Sequence, residues 1–423
     1  MRILALGGCG EMGSVAVRAM IDDPAISDIV IADRDQAKAS AFAKSLGRKA
    51  SAIHVDAQCD RSLKQGLQGC DVVVSTIGPY YLFGPRVLSA AIQAGVHYLD
   101  ICDDPEPTMD MLTLDPLARD NRVTAIIGAG ASPGVSNLLA ARALAAQPHA
   151  EEIYTFWGTG GPLLQEEELS LLDSAGNPTA ATQHWIQQVS GQVKVYQHGT
   201  LTPVTPLQAI HLAFPGSGSD RCHVVGHPEP ITLPRYYPRI RQSLNLMNMP
   251  GYLIYALEKA AKGVDQNDPQ SIQKAAMVLT GILSDSTIQP QDIAHYLIHR
   301  VKDRFRRFLP PLGAVARGPD GNGKTRITGV RMRARLKADD MAHSTCLPTA
   351  IILRMLINGE IKPHGVMAPE ACVNPDIFFR QLATHMILDD GVDATGYVDC
   401  QTQQIDQPYT PLRLPQTHSA RTR

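Results

Sequence analysis

Gly8, Gly10 and Gly13 stand in the order G-x-G-x-x-G within GGCGEMGS, directly after the apolar run RILALG at residues 2–7. Glycines at this spacing let a backbone approach a pyrophosphate, and a helix from Met12 to Ile21 would offer free N–H groups and a positive dipole end. The chemistry implied is dinucleotide binding, with Glu11 and Met12 inside the same turn. A second apolar run starts at Asp28 and ends at Asp33, twenty residues beyond Gly13. A carboxylate there can accept hydrogen bonds from ribose hydroxyls, and it repels a 2′-phosphate, which favours NAD over NADP. Arg34 beside it would stack on adenine or bind that phosphate, which keeps NADP open. Asp56 closes a third run, SAIHVD, where an adenine-side contact is expected.

A second group of residues is acidic. Asp100, Asp103, Asp104 and Glu106 cluster just beyond a fifth strand, HYLDI. Carboxylates in that position suit an ammonium or polyamine ligand and would stabilise an iminium. Asp103 and Asp104 are the candidate catalytic pair; the competing role for such residues is capping the helix that begins near Pro107. His97 is a candidate proton donor, set against the tendency of strand side chains to be core. Tyr80, Asp100 and Arg235 are candidate substrate contacts. Thr76, Gly78 and Pro79 are expected to border a nicotinamide. Ser132, Pro133 and Asn137, from the turn GASPGVSN, would do likewise or cap the next helix.

These residues need a scaffold, and the strand pattern supplies one. Runs at 2–7, 28–33, 51–56, 71–77, 97–101 and 123–128 alternate with helical segments. That rhythm predicts right-handed βαβ units, an α/β fold and a doubly wound parallel sheet whose ligands bind at the strands' carboxyl ends. Beyond about residue 150 the rhythm fades into strand-like stretches, Gly- and Pro-rich loops, and helical blocks near 251–262, 269–284 and 290–308. The stretch Arg326 to Lys337 alternates, placing Arg331, Arg333, Arg335 and Lys337 on one face of a single strand. A helix is expected at 345–357, and a polar, Pro-rich tail from about residue 402 is expected to be extended or disordered.

No metal site is expected. The eight cysteines form no CxxC; His295 and His299 in HYLIH lack a metalloprotease glutamate, and Cys222, His223 and His227 in CHVVGH lack a matching second pair. Lysine plus arginine total 39 against 41 acidic residues, a net charge of −2, which argues against a nucleic-acid partner. No apolar run of membrane-spanning length and no signal peptide is evident, so a cytoplasmic protein is expected.

Several segments, in order, resemble the saccharopine dehydrogenase/reductase-like family of NAD(P)-dependent oxidoreductases: GGCGEMG, VSTIGPYYLFGPRVLSAAIQAGVHYLDICDD, GAGASPGVSNLLA, GHPEPITLPR and GVMAPEACVNPDIFF. HYLDICDD looks most like the carboxynorspermidine dehydrogenase branch. The resemblance implies a discontinuous Rossmann domain (residues 1–135 and 343–400), an inserted α+β substrate and dimerisation domain (136–342), and a tail (401–423). It also implies a homodimer, and hydride transfer at the C–N bond of a secondary amine or imine derived from an amino acid or polyamine. Enoyl reduction with Arg235, Arg239 and Arg241 holding an anionic carrier, or a catalytically silent nucleotide sensor, are the competing readings.

Overall fold

A computed structural model describes residues 1–161, 171–172, 176–266, 268–283, 290–336, 341–388 and 397–415. The chain divides into two compact units, Met1–Ala141 with Arg333–Val398, and Arg142–Met332 with Asp399–Arg423.

The first unit carries β1 (Arg2–Leu6), α1 (Glu11–Met20), β2 (Asp28–Asp33), α2 (Gln36–Leu46), β3 (Ala50–His54), α3 (Asp60–Leu67), β4 (Val72–Ser75), α4 (Tyr80–Ala94), β5 (His97–Asp100), α5 (Pro105–Leu112), α6 (Asp115–Asp120), β6 (Thr124–Ile126) and most of α7 (Val135–Ala146). Its strands form one parallel sheet, and a seventh strand from far along the chain, β16 (Gly365–Met367, numbered in chain order), pairs beside β6. The order is β16-β6-β5-β4-β1-β2-β3. Helices cover both faces of such a sheet, which is why β1, β2 and β4 are near-continuous apolar runs, with β4 (VVVS) wholly buried. The strand order reverses between β1 and β4, the crevice where doubly wound sheets bind ligands.

The second unit carries β7 (Glu152–Gly158), α8 (Ala180–Gln188), β8 (Val193–Gln197), β9 (Thr200–Val204), β10 (Ala209–Phe214), β11 (Gly218–Val224), α9 (Glu229–Tyr236), β12 (Gln242–Asn248), α10 (Gly251–Ala261), α11 (Pro269–Leu283), α12 (Pro290–Asp303), β13 (Leu312–Pro319) and β14 (Lys324–Met332). Here the sheet is mixed, in the order β10-β11-β12-β7-β13-β14-β18, where β18 is Val398–Pro408. One core joins Tyr252, Leu253, Leu257, Ala276 and Leu279 of the helices to Met247 of the sheet. Another gathers Tyr154, Phe156, Phe214, Leu244 and Val315 on the sheet.

Returning to the first unit, the chain forms β15 (Ala334–Leu336), α13 (Met341–Ile357), β16, α14 (Pro369–Cys372), α15 (Pro375–Ala383) and β17 (Met386–Leu388). Helix α13 packs on α1, with the Cys346 thiol 3.1 Å from the Met12 carbonyl oxygen.

Two expectations need correction. The alternating run beginning at Arg326 is not one strand: β14 ends at Met332, the chain passes from one unit to the other at Arg333, and β15 pairs with β17 instead. Alternation reports a half-buried ribbon but not which sheet each part joins; Lys337 lies outside the described residues, as does Ser284 at the end of an expected helix. The start of the polar tail is likewise an ordered strand, β18. The segment after it is tied down as well: Tyr409 donates its hydroxyl to Glu152 at 2.8 Å, the Leu412 amide donates to the same carboxylate at 3.2 Å, and Leu412 and Leu414 pack on the sheet core. No helix among the described residues is long and apolar enough to cross a membrane.

Candidate functional site

Parallel register sets Leu6 level with Ala32 and Ser75, and Ser75 level with Asp100. The residues just past these positions therefore share one edge of the sheet. The turn after β1 is made by Gly7, whose φ of 77° is the left-handed conformation that side chains avoid. Gly13 permits a different closeness: a Cβ there would lie 2.1 Å from the Gly7 carbonyl oxygen and 2.7 Å from the Thr76 hydroxyl. Helix α1 thus sits directly against the turn. It starts at Gly10 without a side-chain cap, so the first N–H groups, on Glu11, Met12 and Gly13, have no intrahelical acceptor. This cradle, which a side chain at Gly13 would fill, fits a nucleotide pyrophosphate. Gly7 was missed in the motif; the signal was its place at the very end of an apolar strand.

Asp33 ends β2 beside this turn, half-buried. It accepts from the Cys9 thiol at 3.1 Å and from the Asp35 amide at 3.1 Å. Burial, then the Asp33 carboxylate, push the Cys9 thiol up to about 11. Arg34 is exposed, and its carbonyl oxygen meets the His54 ring. Asp56 follows β3 and accepts from the Gln58 amide at 2.9 Å, shaping the turn before α3. Thr76 points its hydroxyl at the Leu6 and Gly7 carbonyl oxygens (3.2 and 3.3 Å), so its side chain clamps the glycine turn. Gly78 and Pro79 follow at the mouth of α4, Pro79 in its N-cap position.

The acidic cluster separates into two roles. Asp100 is wholly buried; it accepts from the Gly128 amide at 2.7 Å, the Cys102 amide at 3.0 Å and the Tyr98 hydroxyl at 2.8 Å. Burial pushes its carboxyl up to about 6, against the lowering pull of those bonds. Asp100 thus serves as internal scaffolding, with all three of these donors coming from the first unit. Asp103 and Asp104 are half-buried at the strand edge, Asp104 in the N-cap position of α5 without a side-chain cap bond, and Glu106 is exposed.

His97 and Tyr80 are likewise held by internal partners. His97 opens β5, at the amino end of a parallel strand whose ligand edge lies three residues on, roughly 10 Å away. Its Nδ1 accepts from the Thr124 amide at 3.0 Å, and burial, then His364, lower its pKa. Tyr80 is buried, and its hydroxyl donates to the Ser75 carbonyl oxygen at 3.3 Å. Ser132 is half-buried and Pro133 buried, with Pro133 against Gly128, whose φ is 67°. Asn137 holds that turn: it accepts from the Gly134 amide at 2.8 Å and donates to Glu370 at 2.9 Å.

Arg235 is exposed on α9 of the second unit, and Arg239 and Arg241 line a surface depression of about 310 Å³ with His149, Pro238 and Glu151. The CHVVGH residues have separate surroundings: Cys222 lies in the apolar core, and burial drives His223 down to about 3. His227 is buried with Nδ1 3.3 Å from the Glu229 carboxylate and Nε2 2.7 Å from the Gln188 amide. Glu229 accepts from Asn245 at 2.9 Å, and Asn245 in turn accepts from the Trp157 indole at 3.0 Å. Sequence reading missed this buried imidazole–carboxylate pair; its signal was His-x-Glu in GHPEP. His295 stacks on Tyr255 at 4.1 Å, and His299 packs against Gly251.

Comparison with known proteins bears on the family. Residues 3–126 match the family described as the saccharopine dehydrogenase NADP binding domain. Carboxyaminopropylagmatine dehydrogenase of Synechocystis sp. is 23% identical over 402 residues, covering 89% of this chain and 94% of that protein. A lipid droplet localized protein of Caenorhabditis elegans is 25% identical over 112 residues, 24% of this chain and 26% of that one. Saccharopine dehydrogenase (L-Glu forming) from Saccharomyces cerevisiae shares the fold, with a TM-score of 0.58 at 16% identity over 95% of this chain and 99% of that one. The saccharopine dehydrogenase-like resemblance and the Rossmann architecture are thereby shown, and the comparisons support a nicotinamide-nucleotide oxidoreductase.

Proposed function

We propose that this chain transfers hydride to or from the C–N bond of a secondary amine or imine derived from an amino acid or polyamine. The observation that carries the reading is the uncapped α1 start against the Gly7–Gly13 turn, with Asp33 at the end of the next strand. The names of the dehydrogenases reported above support the substrate class.

In this reading the N–H groups of Glu11, Met12 and Gly13 take the pyrophosphate oxygens. Asp33 accepts from ribose hydroxyls, which favours NAD; Arg34, free to swing from its exposed position, is the group that would admit a 2′-phosphate. Thr76 fixes the turn, and Gly78 and Pro79 border the nicotinamide. A bound nicotinamide supplies the hydride chemistry itself. Asp103 and Asp104 present negative charge to the substrate nitrogen, favouring its protonated, iminium form over the neutral imine.

The test pairs Asp103→Asn with Asp104→Asn in the full chain and assays amine oxidation and imine reduction across amino-acid and polyamine adducts. The expected result is a fall in kcat/KM of about tenfold or more with NAD(H) affinity unchanged. Unchanged kcat and KM would remove both aspartates from the mechanism. Nucleotide binding without turnover of any C–N substrate would overturn the assignment.

A further inference from the structure

Four side chains of the second unit form a row that runs outward from its interior. Glu229, 0% exposed, stands 3.3 Å from Nδ1 of His227, itself 3% exposed. Nε2 of that ring is 2.7 Å from the side-chain nitrogen of Gln188, 5% exposed, and the same nitrogen touches Nε2 of His184. His184 is half-buried, so the row is sealed at Glu229 and open at His184. Helix α8 carries His184 and Gln188 one turn apart, on one face. Behind the row, Asn245 donates to Glu229 at 2.9 Å and to the Thr155 hydroxyl at 3.0 Å, which fixes the carboxylate against the sheet. The Trp157 ring covers His227 at 5.9 Å.

The row has a definite proton logic. The Gln188 nitrogen meets two ring nitrogens, while its Oε1 is buried with no hydrogen-bond partner among the described residues. A half-turn of the amide exchanges the two atoms with little change in shape. Oε1 then accepts an N–H from each ring, and His227 carries two protons, one toward Gln188 and one toward Glu229. A carboxylate shut away from water favours that state, because the imidazolium compensates its charge. The consequence falls on His184. Its proton is held on Nε2, so Nδ1 keeps its lone pair and is a base. Apolar side chains would fill this space at lower cost, and a buried ionisable cluster that ends at a half-buried histidine suits proton transfer.

We propose that His184 is a further catalytic residue, the base for the substrate nitrogen, and that Gln188, His227 and Glu229 are its positioning residues. The assignment rests on the C–N reaction proposed above. In amine oxidation the secondary ammonium gives one N–H proton to Nδ1 of His184. The freed lone pair forms the C=N bond as hydride leaves the adjacent carbon, taking both electrons of its C–H bond to an oxidised nicotinamide. In imine reduction the same proton returns from His184 to the amine nitrogen once hydride has arrived.

The test uses the full chain and a C–N substrate that the wild type turns over. His184→Ala, at a half-buried position, is expected to lower kcat by about 100-fold with KM nearly unchanged, and added imidazole to restore about tenfold. Glu229→Gln keeps the shape and removes the charge; kcat should fall by about tenfold, again with little effect on KM. Nitrogen-15 spectra of histidine-labelled protein near neutral pH should find the His184 proton on Nε2 in the wild type and partly on Nδ1 in Glu229→Gln. Unchanged turnover in His184→Ala, a loss that imidazole does not rescue, or a wild-type His184 proton on Nδ1 would overturn the inference and leave the C–N reaction standing. A wild type that binds nucleotide yet turns over no C–N substrate would overturn both.

Discussion

The Asp100 carboxylate accepts the Gly128 amide at 2.7 Å, tying the end of β5 to the turn that follows β6. Because burial holds this carboxyl up to about 6, the folded state keeps a proton there that the unfolded chain releases near pH 4. Between those values the native state binds more protons, so this group's contribution to stability is full at low pH and falls as pH rises. The stability of wild type relative to Asp100→Asn should therefore fall by about 2 kcal/mol from pH 4 to pH 7. Urea titrations across that range check it; a difference independent of pH would refute the assignment.

Gly13→Ala would place a methyl 2.1 Å from the Gly7 carbonyl oxygen. Either α1 or the turn must move, at about 1–3 kcal/mol. Nucleotide affinity measured by calorimetry should fall by about 100-fold while the chain still melts cooperatively. Retained affinity would show that the cradle does not hold the pyrophosphate.

Asp33→Ser removes the charge expected to repel a 2′-phosphate. The ratio of NADPH to NADH affinity should rise about tenfold, roughly 1.4 kcal/mol. The Cys9 thiol, no longer facing a carboxylate, should also titrate lower, which maleimide labelling rates against pH would report. An unchanged cofactor ratio would locate the selectivity elsewhere.

Glu152 holds Arg317 at 2.5 Å in the second unit's interior while accepting from Tyr409 and Leu412. Glu152→Gln leaves a buried guanidinium poorly paired and should cost about 3–5 kcal/mol. Tyr409→Phe removes one hydrogen bond and should cost about 1 kcal/mol. If the two variants melt together, the Arg317 guanidinium does not depend on that carboxylate for its pairing.

Much of the first unit was legible because strands buried on both faces leave apolar runs that stop at Gly or Asp, as at Gly7, Asp33 and Asp100. The edge itself was less so. His97 and Asp100 share β5, but only the three-residue rise between them decides which end each occupies, and only tertiary contacts show Asp100 held by two amides and the Tyr98 hydroxyl. In the second unit, β18 escaped notice because an edge strand half in water carries the polar sequence VDCQTQQIDQP.

The placement of β16 has a consequence for synthesis. Six strands of the parallel sheet are translated by residue 126, yet the strand that covers β6 follows more than two hundred residues later. At about 5–20 residues per second the ribosome needs roughly 10–50 seconds to deliver it. Throughout that interval the nascent chain displays β6 with an unpaired row of backbone donors and acceptors, an invitation to pair with a neighbouring polypeptide. Chaperone demand and aggregation in the cell should therefore peak while the second unit is still being made.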